Sequence, residues 1–74
     1  MKLIFDNSYG EERIIATPQN EEEAVREIYK FCEDRNFKIY YYRTWTKGNK
    51  KWFDVGSWSE FFYIELEEGE IWLD

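Results

Sequence analysis

Apolar and polar side chains alternate at the start of the chain in a way that predicts a β-hairpin. Residues 1–5 place apolar side chains on one face, the turn-forming residues 7–10 follow, and residues 13–17 form a short β-branched run. Pro18 ends the second strand, because proline has no amide hydrogen to donate to a neighbouring strand. We therefore predict that the first two strands pair with each other.

A spacing of three and four residues predicts one amphipathic helix from about residue 20 to residue 35. Asn20 can cap the first turn, and Glu23 completes the Asn version of a capping box. One apolar stripe runs along this helix, formed by Ala24, Val25, Ile28, Phe31 and Cys32. Asn36 suits the left-handed residue that ends a helix, and Phe37 can pack back on the last turn.

Everything after the helix is predicted to be strand or turn. The long alternating run 37–46 is followed by the turn 47–50 and a return strand over 51–55, and further strands are predicted over 60–66 and 71–73. The order of elements is β-β-α-β-β-β-β. This order predicts an α+β fold, in which an antiparallel sheet of about five to six strands carries one helix on one face.

The predicted strand over 37–46 has bulky side chains on both faces, whereas one helix covers only one face of a sheet. Tyr40 and Tyr42 share a face with Lys38 and two threonines, so we predict that this face is the outer one. Trp52 lies on the return strand, where the pattern allows it to pack on either face. An exposed aromatic sheet face is typical of a surface that binds another protein or a second copy.

Length and aromatic content add an expectation about assembly. Residues 1–74 suffice for a single small domain, and six Tyr, six Phe and four Trp make up 22% of them. A four-turn helix cannot cover so many rings, so some must face water, a partner or another copy. We expect a homodimer through the sheet, because a two-fold interface is complementary to itself.

Charge and missing residue types exclude several classes of function. Ten basic and sixteen acidic residues give a net charge of −6, which disfavours direct binding to nucleic acid or an anionic membrane and favours a protein partner with a basic surface. Histidine is absent, and Cys32 lies on the apolar stripe, where a buried and unreactive thiol is expected. We therefore expect a non-enzymatic protein without a metal site or cofactor. A single cysteine and the lack of 18 consecutive apolar residues indicate a cytoplasmic protein.

Positive charge is concentrated in one aromatic segment. Residues 37–55 carry five basic residues and one acidic residue. Rings beside cations can stack on a base and hold its phosphates, so an alternative function is to sequester a nucleotide signalling molecule in a pocket between subunits. The residues of this alternative ligand site are Arg43, Trp45, Lys47, Lys50, Lys51 and Trp52. In the ordinary interpretation, the rings pair across strands and the lysines prevent edge pairing.

Negative charge is concentrated after residue 55. Residues 56–74 contain six acidic residues and no basic ones, namely Glu60, Glu65, Glu67, Glu68, Glu70 and Asp74. Carboxylates at near-regular spacing on a rigid surface can imitate the phosphates of a DNA duplex. In the ordinary interpretation they form a solvated acidic rim, and the sequence leaves both interpretations open.

One long segment carries a resemblance to known sequences. Residues 51–64, with the sequence KWFDVGSWSEFFYI, look like a segment of small uncharacterised proteins of phages and prophages of Gram-positive bacteria. Residues 21–28 and 37–41 are similar to them too, and the resemblance covers roughly residues 12–66. It carries no known catalytic residue. It implies a small phage protein in the host cytoplasm, of a kind that often binds and blocks a host or defence component.

The predicted function combines these observations. We expect a phage-encoded inhibitor that binds a bacterial host or immune-defence protein, as anti-CRISPR proteins and DNA mimics do. Its predicted aromatic anchors are Tyr40, Tyr42, Trp45, Trp52 and Trp58, and its predicted steering charges are Glu60, Glu65, Glu67, Glu68 and Glu70. The nucleotide-binding oligomer is one alternative, and a structural or regulatory phage protein without a defence role is another.

Overall fold

Five antiparallel strands in one open sheet and a single helix make up the described part of the chain, which confirms the α+β prediction. A computed structural model describes residues 1–72 of the chain. The elements are β1 (Lys2–Asp6), β2 (Glu12–Ala16), α1 (Glu21–Asp34), β3 (Arg43–Lys47), β4 (Lys50–Asp54) and β5 (Phe61–Glu65). No helix in this described part is long and apolar enough to cross a membrane.

The strands lie in the order β2-β1-β5-β4-β3, so the predicted β1–β2 hairpin forms one side of the sheet. β1 and β5 lie at the centre and pair along their whole length, from Lys2 opposite Glu65 to Asp6 opposite Phe61. Each of these two strands buries three consecutive residues, which is the pattern of a strand shielded on both faces. The edges of the sheet are β2 and β3.

The helix begins and ends as local chemistry predicts. The Asn20 side chain accepts a hydrogen bond from the Glu23 amide at 2.9 Å, and the Glu23 carboxylate reaches back to the amide of Gln19 at 2.6 Å. At the other end, Asn36 has φ of +56°, and its amide bonds to the Glu33 carbonyl. The Phe37 amide bonds to the Cys32 carbonyl, which completes a Schellman motif.

The core lies between α1 and one face of the sheet, called here the helix face. The helix contributes Ala24, Ile28 and Cys32, and the strands and the β4–β5 connection contribute Leu3, Phe5, Phe53, Val55, Phe62 and Ile64. Burying each large side chain of this kind stabilises the fold by roughly 1.5–3 kcal/mol. The predicted burial of Cys32 is confirmed.

The predicted strand over 37–46 is wrong in its first part, because β3 begins only at Arg43. α1 ends at the same end of the sheet at which β3 begins, so the intervening residues must cross from the helix layer to the sheet edge. In this crossing Tyr40 donates a backbone hydrogen bond to Val55, and no ladder forms. Residues 37–42 have the alternating pattern of a strand, but no strand in the described part of the chain lies beside them to form a ladder.

The prediction that the Tyr42 face is the outer one is also wrong. Thr44 lies opposite Phe53, a core residue, and the rings of Tyr42 and Phe53 are 5.8 Å apart. The face of Tyr42 and Thr44 is therefore the helix face. Trp45 pairs with Trp52 on the other side of the sheet, called here the open face.

The strand predicted over 71–73 is not found at Ile71 and Trp72, and Leu73 lies outside the described residues. Residues 66–72 pack around the end of the β3–β4 hairpin instead of adding to the sheet. Leu66 donates a backbone hydrogen bond to Asn49, and the indole of Trp72 donates to the carbonyl of Gly48 at 3.0 Å.

Candidate protein-binding surfaces

Four of the five predicted aromatic anchors divide between two surfaces, and the fifth lies apart from both. β1 and β4 end, and β2, β3 and β5 begin, at the same end of the sheet, called here the loop end. The segments 7–11, 35–42 and 55–60 meet there. Tyr40 and Trp58 belong to the loop end, while Trp45 and Trp52 belong to the open face; Tyr42 lies at the edge of the helix face.

Trp58 is 100% exposed, although the loop that carries it is well bonded. The hydroxyl of Ser57 accepts hydrogen bonds from the backbone amides of Ser59 at 3.4 Å and Glu60 at 3.1 Å. Before the loop, the Gly56 amide donates to the Asp54 carboxylate at 2.9 Å. The backbone is thus fixed on both sides of a large aromatic side chain that is left in solvent.

Tyr40 and Tyr41 lie against the base of this loop. Gly56 has φ of +97°, and a Cβ there would lie 2.9 Å from the Cβ of Tyr40 and 3.4 Å from the ring of Tyr41. The absence of a side chain at Gly56 therefore allows the two segments to meet. The Tyr40 side chain is 70% exposed, with the Lys38 ammonium 5.4 Å from its ring centre.

Asp54 is the polar centre of the loop end and is only 4% exposed. Its Oδ2 accepts hydrogen bonds from Arg43 at 2.8 Å and from the Tyr41 hydroxyl at 3.4 Å, while Oδ1 accepts the Gly56 amide. Burial by itself would raise the pKa of this carboxyl. The hydrogen bonds from Arg43 and Gly56, with the positive charge of Arg43, outweigh burial and lower the pKa below its ordinary value.

Tyr9 is a further exposed aromatic residue of the loop end that sequence reasoning missed. It is 83% exposed in the β1–β2 turn, where the Asn7 side chain accepts the amides of Tyr9 and Glu11. Ser8 has φ of +64°. The available signal was an aromatic residue inside a turn of Asn, Ser and Gly, where a ring has no partner within its own element. The loop end thus presents Tyr9, Tyr40, Tyr41 and Trp58.

A second surface crosses the open face. The rings of Trp45 and Trp52 are nearly parallel, with an angle of 9° and a centroid distance of 6.4 Å, and Trp52 packs on Tyr63 at 4.6 Å. By the register of the strands, this row continues through Ile4 to Ile14, so that it crosses all five strands. Trp45 and Ile14, at the two ends of the row, are exposed.

Tyr63, at the centre of the row, is buried by its neighbours. Its hydroxyl donates to the Glu12 carboxylate at 3.0 Å, and the Lys50 ammonium lies 4.7 Å from its ring centre. Burial, followed by the hydrogen bond to Glu12, raises the pKa of Tyr63 to about 12. A partner therefore cannot contact the Tyr63 ring at the middle of the open face, whereas the Trp45 ring at one end is exposed.

The structure brings together only part of the alternative ligand site. Arg43, Trp45 and Lys47 alternate along one face of β3, and Lys50 lies opposite Lys47. Lys51 is on the other face, where its ammonium donates to the Glu21 carboxylate of α1 at 2.7 Å. Lys51 therefore does not belong with the other cations.

The predicted steering charges are separated in the same way. Glu60 lies at the loop end, whereas Glu65 and the residues after it lie at the opposite end of β5. The Glu70 carboxylate accepts hydrogen bonds from the amino group of Met1 at 2.9 Å and from the backbone amide of Glu67 at 2.7 Å. The Glu65 carboxylate lies 4.0 Å from the Lys50 ammonium. Glu68 is exposed, and Asp74 lies outside the described residues. Several of the carboxylates that could imitate DNA phosphates are thus bonded or ion-paired within the chain.

A small apolar pocket of about 180 Å³ opens beside the loop end. Its lining consists of Phe5, Phe31, Cys32, Arg35, Phe37, Val55, Glu60 and Phe62. Burial, with a smaller contribution from Glu60, raises the pKa of the Cys32 thiol. The thiol is therefore held in its neutral form, which is not the nucleophilic one.

Comparison of the chain with protein-family models, with curated proteins and with solved structures finds no match in any of the three. The functional inference therefore depends on the geometry of the two surfaces.

Proposed function

We propose that this chain is a non-enzymatic protein-binding module that inserts Trp58 and the tyrosines around it into the surface of a partner protein. The observation that carries the proposal is the full exposure of Trp58 on a loop whose backbone is fixed by the Ser57 and Asp54 hydrogen bonds. A fixed loop loses little conformational entropy on binding, so more of the contact energy contributes to affinity.

The residue types of the loop end fit this function. Trp and Tyr are the commonest energetic centres of protein interfaces, where truncating such a residue costs about 2–4 kcal/mol of binding. Tyr9, Tyr40 and Tyr41 supply further exposed aromatic surface on neighbouring segments. The backbone amides and side-chain hydroxyls of the same segments surround this aromatic surface with polar groups, as at the rim of a protein interface.

The setting that we propose is a phage protein that blocks a bacterial host or defence protein. The predicted resemblance to phage sequences includes the whole Trp58 loop, and the net charge of −6 favours a partner with a basic surface. Of the predicted steering charges, Glu60 lies beside the loop and acts at short range. The others, Glu65, Glu67, Glu68 and Glu70, lie at the opposite end of the sheet, where Lys50 and the amino group of Met1 already offset part of their charge.

Nucleotide binding is the second candidate, because Trp45 and Trp52 lie side by side near Lys47 and Lys50. This site lacks Lys51, which is bonded to Glu21, and one donor of its Arg43 is bonded to Asp54. A thermal-shift screen with cyclic and linear nucleotides tests this candidate, since a ligand that binds the folded state raises the melting temperature.

The test of the main proposal compares Trp58→Ala with Tyr29→Ala in affinity capture from a Gram-positive lysate. Tyr29 is also an exposed aromatic residue, but it lies on α1. We expect a stoichiometric partner to be retained by the wild type and by Tyr29→Ala, and to be lost or at least tenfold weaker with Trp58→Ala. Equal recovery by all three proteins, or recovery of no stoichiometric partner, would contradict the proposal.

A further inference from the structure

β3 is an edge strand whose outer side has no neighbouring strand in the described sheet. All five of its residues are exposed. An edge of this kind presents backbone donors and acceptors at the spacing of a β-ladder, which is how sheets accept an added strand from another chain.

The register of the β3–β4 hairpin identifies the backbone groups that face outward. Lys47 and Lys50 close a two-residue turn, and Gly48 has φ of +61°, as the first central residue of a type II′ turn requires. The closing pair of such a turn is hydrogen-bonded, and bonded and non-bonded pairs then alternate along the ladder. The amides and carbonyls of Thr44 and Thr46 therefore point away from β4, toward the open edge.

The side chains along this edge have a definite chemical pattern. Arg43, Trp45 and Lys47 alternate on the open face, and the exposed ring of Trp45 lies between two cationic side chains. Arg43 keeps its bond to Asp54, but its side chain is 68% exposed and the guanidinium has further N–H donors for a carboxylate of an added strand. Thr44 and Thr46, on the helix face, are small enough to leave the backbone accessible. A strand added here would place its own alternate residues opposite a cation, a large ring and a second cation.

We propose that the β3 edge binds an extended acidic segment of a partner protein as an added antiparallel strand. The segment carries acid, apolar and acid side chains at alternate positions, opposite Lys47, Trp45 and Arg43. Its backbone bonds to Thr44 and Thr46 supply sequence-independent affinity, and the alternate side chains supply the selectivity.

Charge makes a second copy of this chain a poor occupant of the edge. In the two-fold antiparallel register that pairs β3 with itself over its whole length, Arg43 of each copy lies opposite Lys47 of the other. Like charges directly opposite each other destabilise a strand pair. The same two cations attract an acidic segment, so the edge discriminates between a copy of itself and a complementary strand.

This inference is independent of the loop-end proposal, because the two surfaces share no residue. The probe is a capped heptapeptide with Glu at positions two and six, Phe at position four and Thr elsewhere. Nuclear magnetic resonance titration of the full chain should show the largest amide shifts at Thr44 and Thr46, with no loss of binding in Trp58→Ala. A peptide with Lys in place of both Glu residues should bind at least about fivefold more weakly.

Two variants test the strand geometry. Thr46→Pro removes only an outward amide, which proline at an edge allows, and should abolish binding while preserving the fold. Lys47→Glu should reverse the preference between the Glu and Lys peptides. If Thr46→Pro does not fold, Glu peptides that are N-methylated on the amides facing β3 make the same test on the unchanged protein, and should not bind.

Three results would overturn the inference: no amide shift with the Glu peptide at millimolar concentration, equal binding of the N-methylated peptide, or a dimer or polymer of the chain that dissociates in Thr46→Pro. The last result would show that another copy occupies the edge, through β3 or through the opposite edge strand β2.

Discussion

Arg43 and Asp54 face each other across the β3–β4 pair, with the guanidinium Nη2 2.8 Å from the carboxylate Oδ2. The other oxygen of the same carboxylate accepts the amide of Gly56, at the base of the Trp58 loop. A single buried acid therefore joins the first residue of the edge strand to the loop that presents the exposed tryptophan. Changes at Asp54 are expected to affect both surfaces.

Asp54→Asn should lower the free energy of unfolding by about 1–3 kcal/mol, since it weakens several hydrogen bonds to a charged group and leaves a nearly buried amide. Asp34→Asn is a matched control, because Asp34 is exposed on the last turn of α1. Urea denaturation of both variants checks the prediction. Equal stability of the two variants would show that Asp54 is not a structural centre of the loop end.

The same carboxylate should contribute to the dependence of stability on pH. Its folded pKa is lowered from the ordinary value of 3.8, so the unfolded chain takes up the proton first as the pH falls. The contribution is therefore complete above about pH 4 and is lost as the pH falls through the lowered folded value. We expect the stability difference between wild type and Asp54→Asn to shrink below about pH 4, and a difference that stays constant under stronger acid would contradict this assignment.

Gly56→Ala should destabilise the fold by about 1–3 kcal/mol, because an L-residue is strained at φ of +97° and its Cβ would collide with Tyr40. Gly10→Ala separates the two causes, since Gly10 has φ of +92° and a Cβ there would have no atom within 4 Å. The loss in melting temperature should be clearly larger for Gly56→Ala. Similar losses would mean that Tyr40 moves aside without cost.

Tyr63→Phe should alter the stability of the protein in alkali. The folded pKa of Tyr63 is raised to about 12 from 10, so its contribution is complete below pH 10 and is lost as the pH rises toward 12. The variant loses the hydrogen bond to Glu12, worth about 0.5–1.5 kcal/mol at neutral pH, and should lose less stability than wild type as the pH rises from about 10 to about 12. Thermal unfolding at a series of pH values decides this, and parallel curves would contradict it.

A homodimer through the open face remains a prediction, and it competes with the added strand at the β3 edge because both use the exposed surface of Trp45. Trp45 and Ile14 expose apolar surface at the two ends of the row on this face, and a two-fold axis parallel to the strands would place each beside the other in the partner copy. Light scattering at micromolar concentration should then give twice the monomer mass of 9.2 kDa, and Trp45→Ser should restore the monomer. A wild-type mass equal to that of the monomer would exclude this dimer.

Local chemistry made the ends of α1 predictable. The Asn20 cap, the left-handed Asn36 and the turn at Gly48 each depend on a few neighbouring residues, and all three occur in the structure. Alternation over residues 37–42 is also local, but a strand requires a neighbour to which it can bond. That requirement depends on where α1 ends relative to β3, which no local pattern records.

The candidate surfaces were predictable to a smaller extent. Lys50 and Lys51 are adjacent in β4, so their side chains must point to opposite faces, and the alternation alone was enough to separate them. Trp58 was predicted as an aromatic anchor from its residue type, whereas its full exposure is visible only in the structure. Tyr9 had no periodic partner, and the contact between Gly56 and Tyr40 joins segments that only the fold brings together.

The central pairing of β1 with β5 has a consequence for the time at which this chain can fold. Lys2 pairs with Glu65, so the two strands that form the middle of the sheet come from nearly opposite ends of the 74-residue sequence. During synthesis, β1 has only its hairpin partner β2 until β5 has left the ribosome, and α1 has no finished sheet on which to pack. The domain should therefore fold after translation of β5 rather than strand by strand, and more slowly than a helical protein of the same length, because the central strand pair must close a long loop.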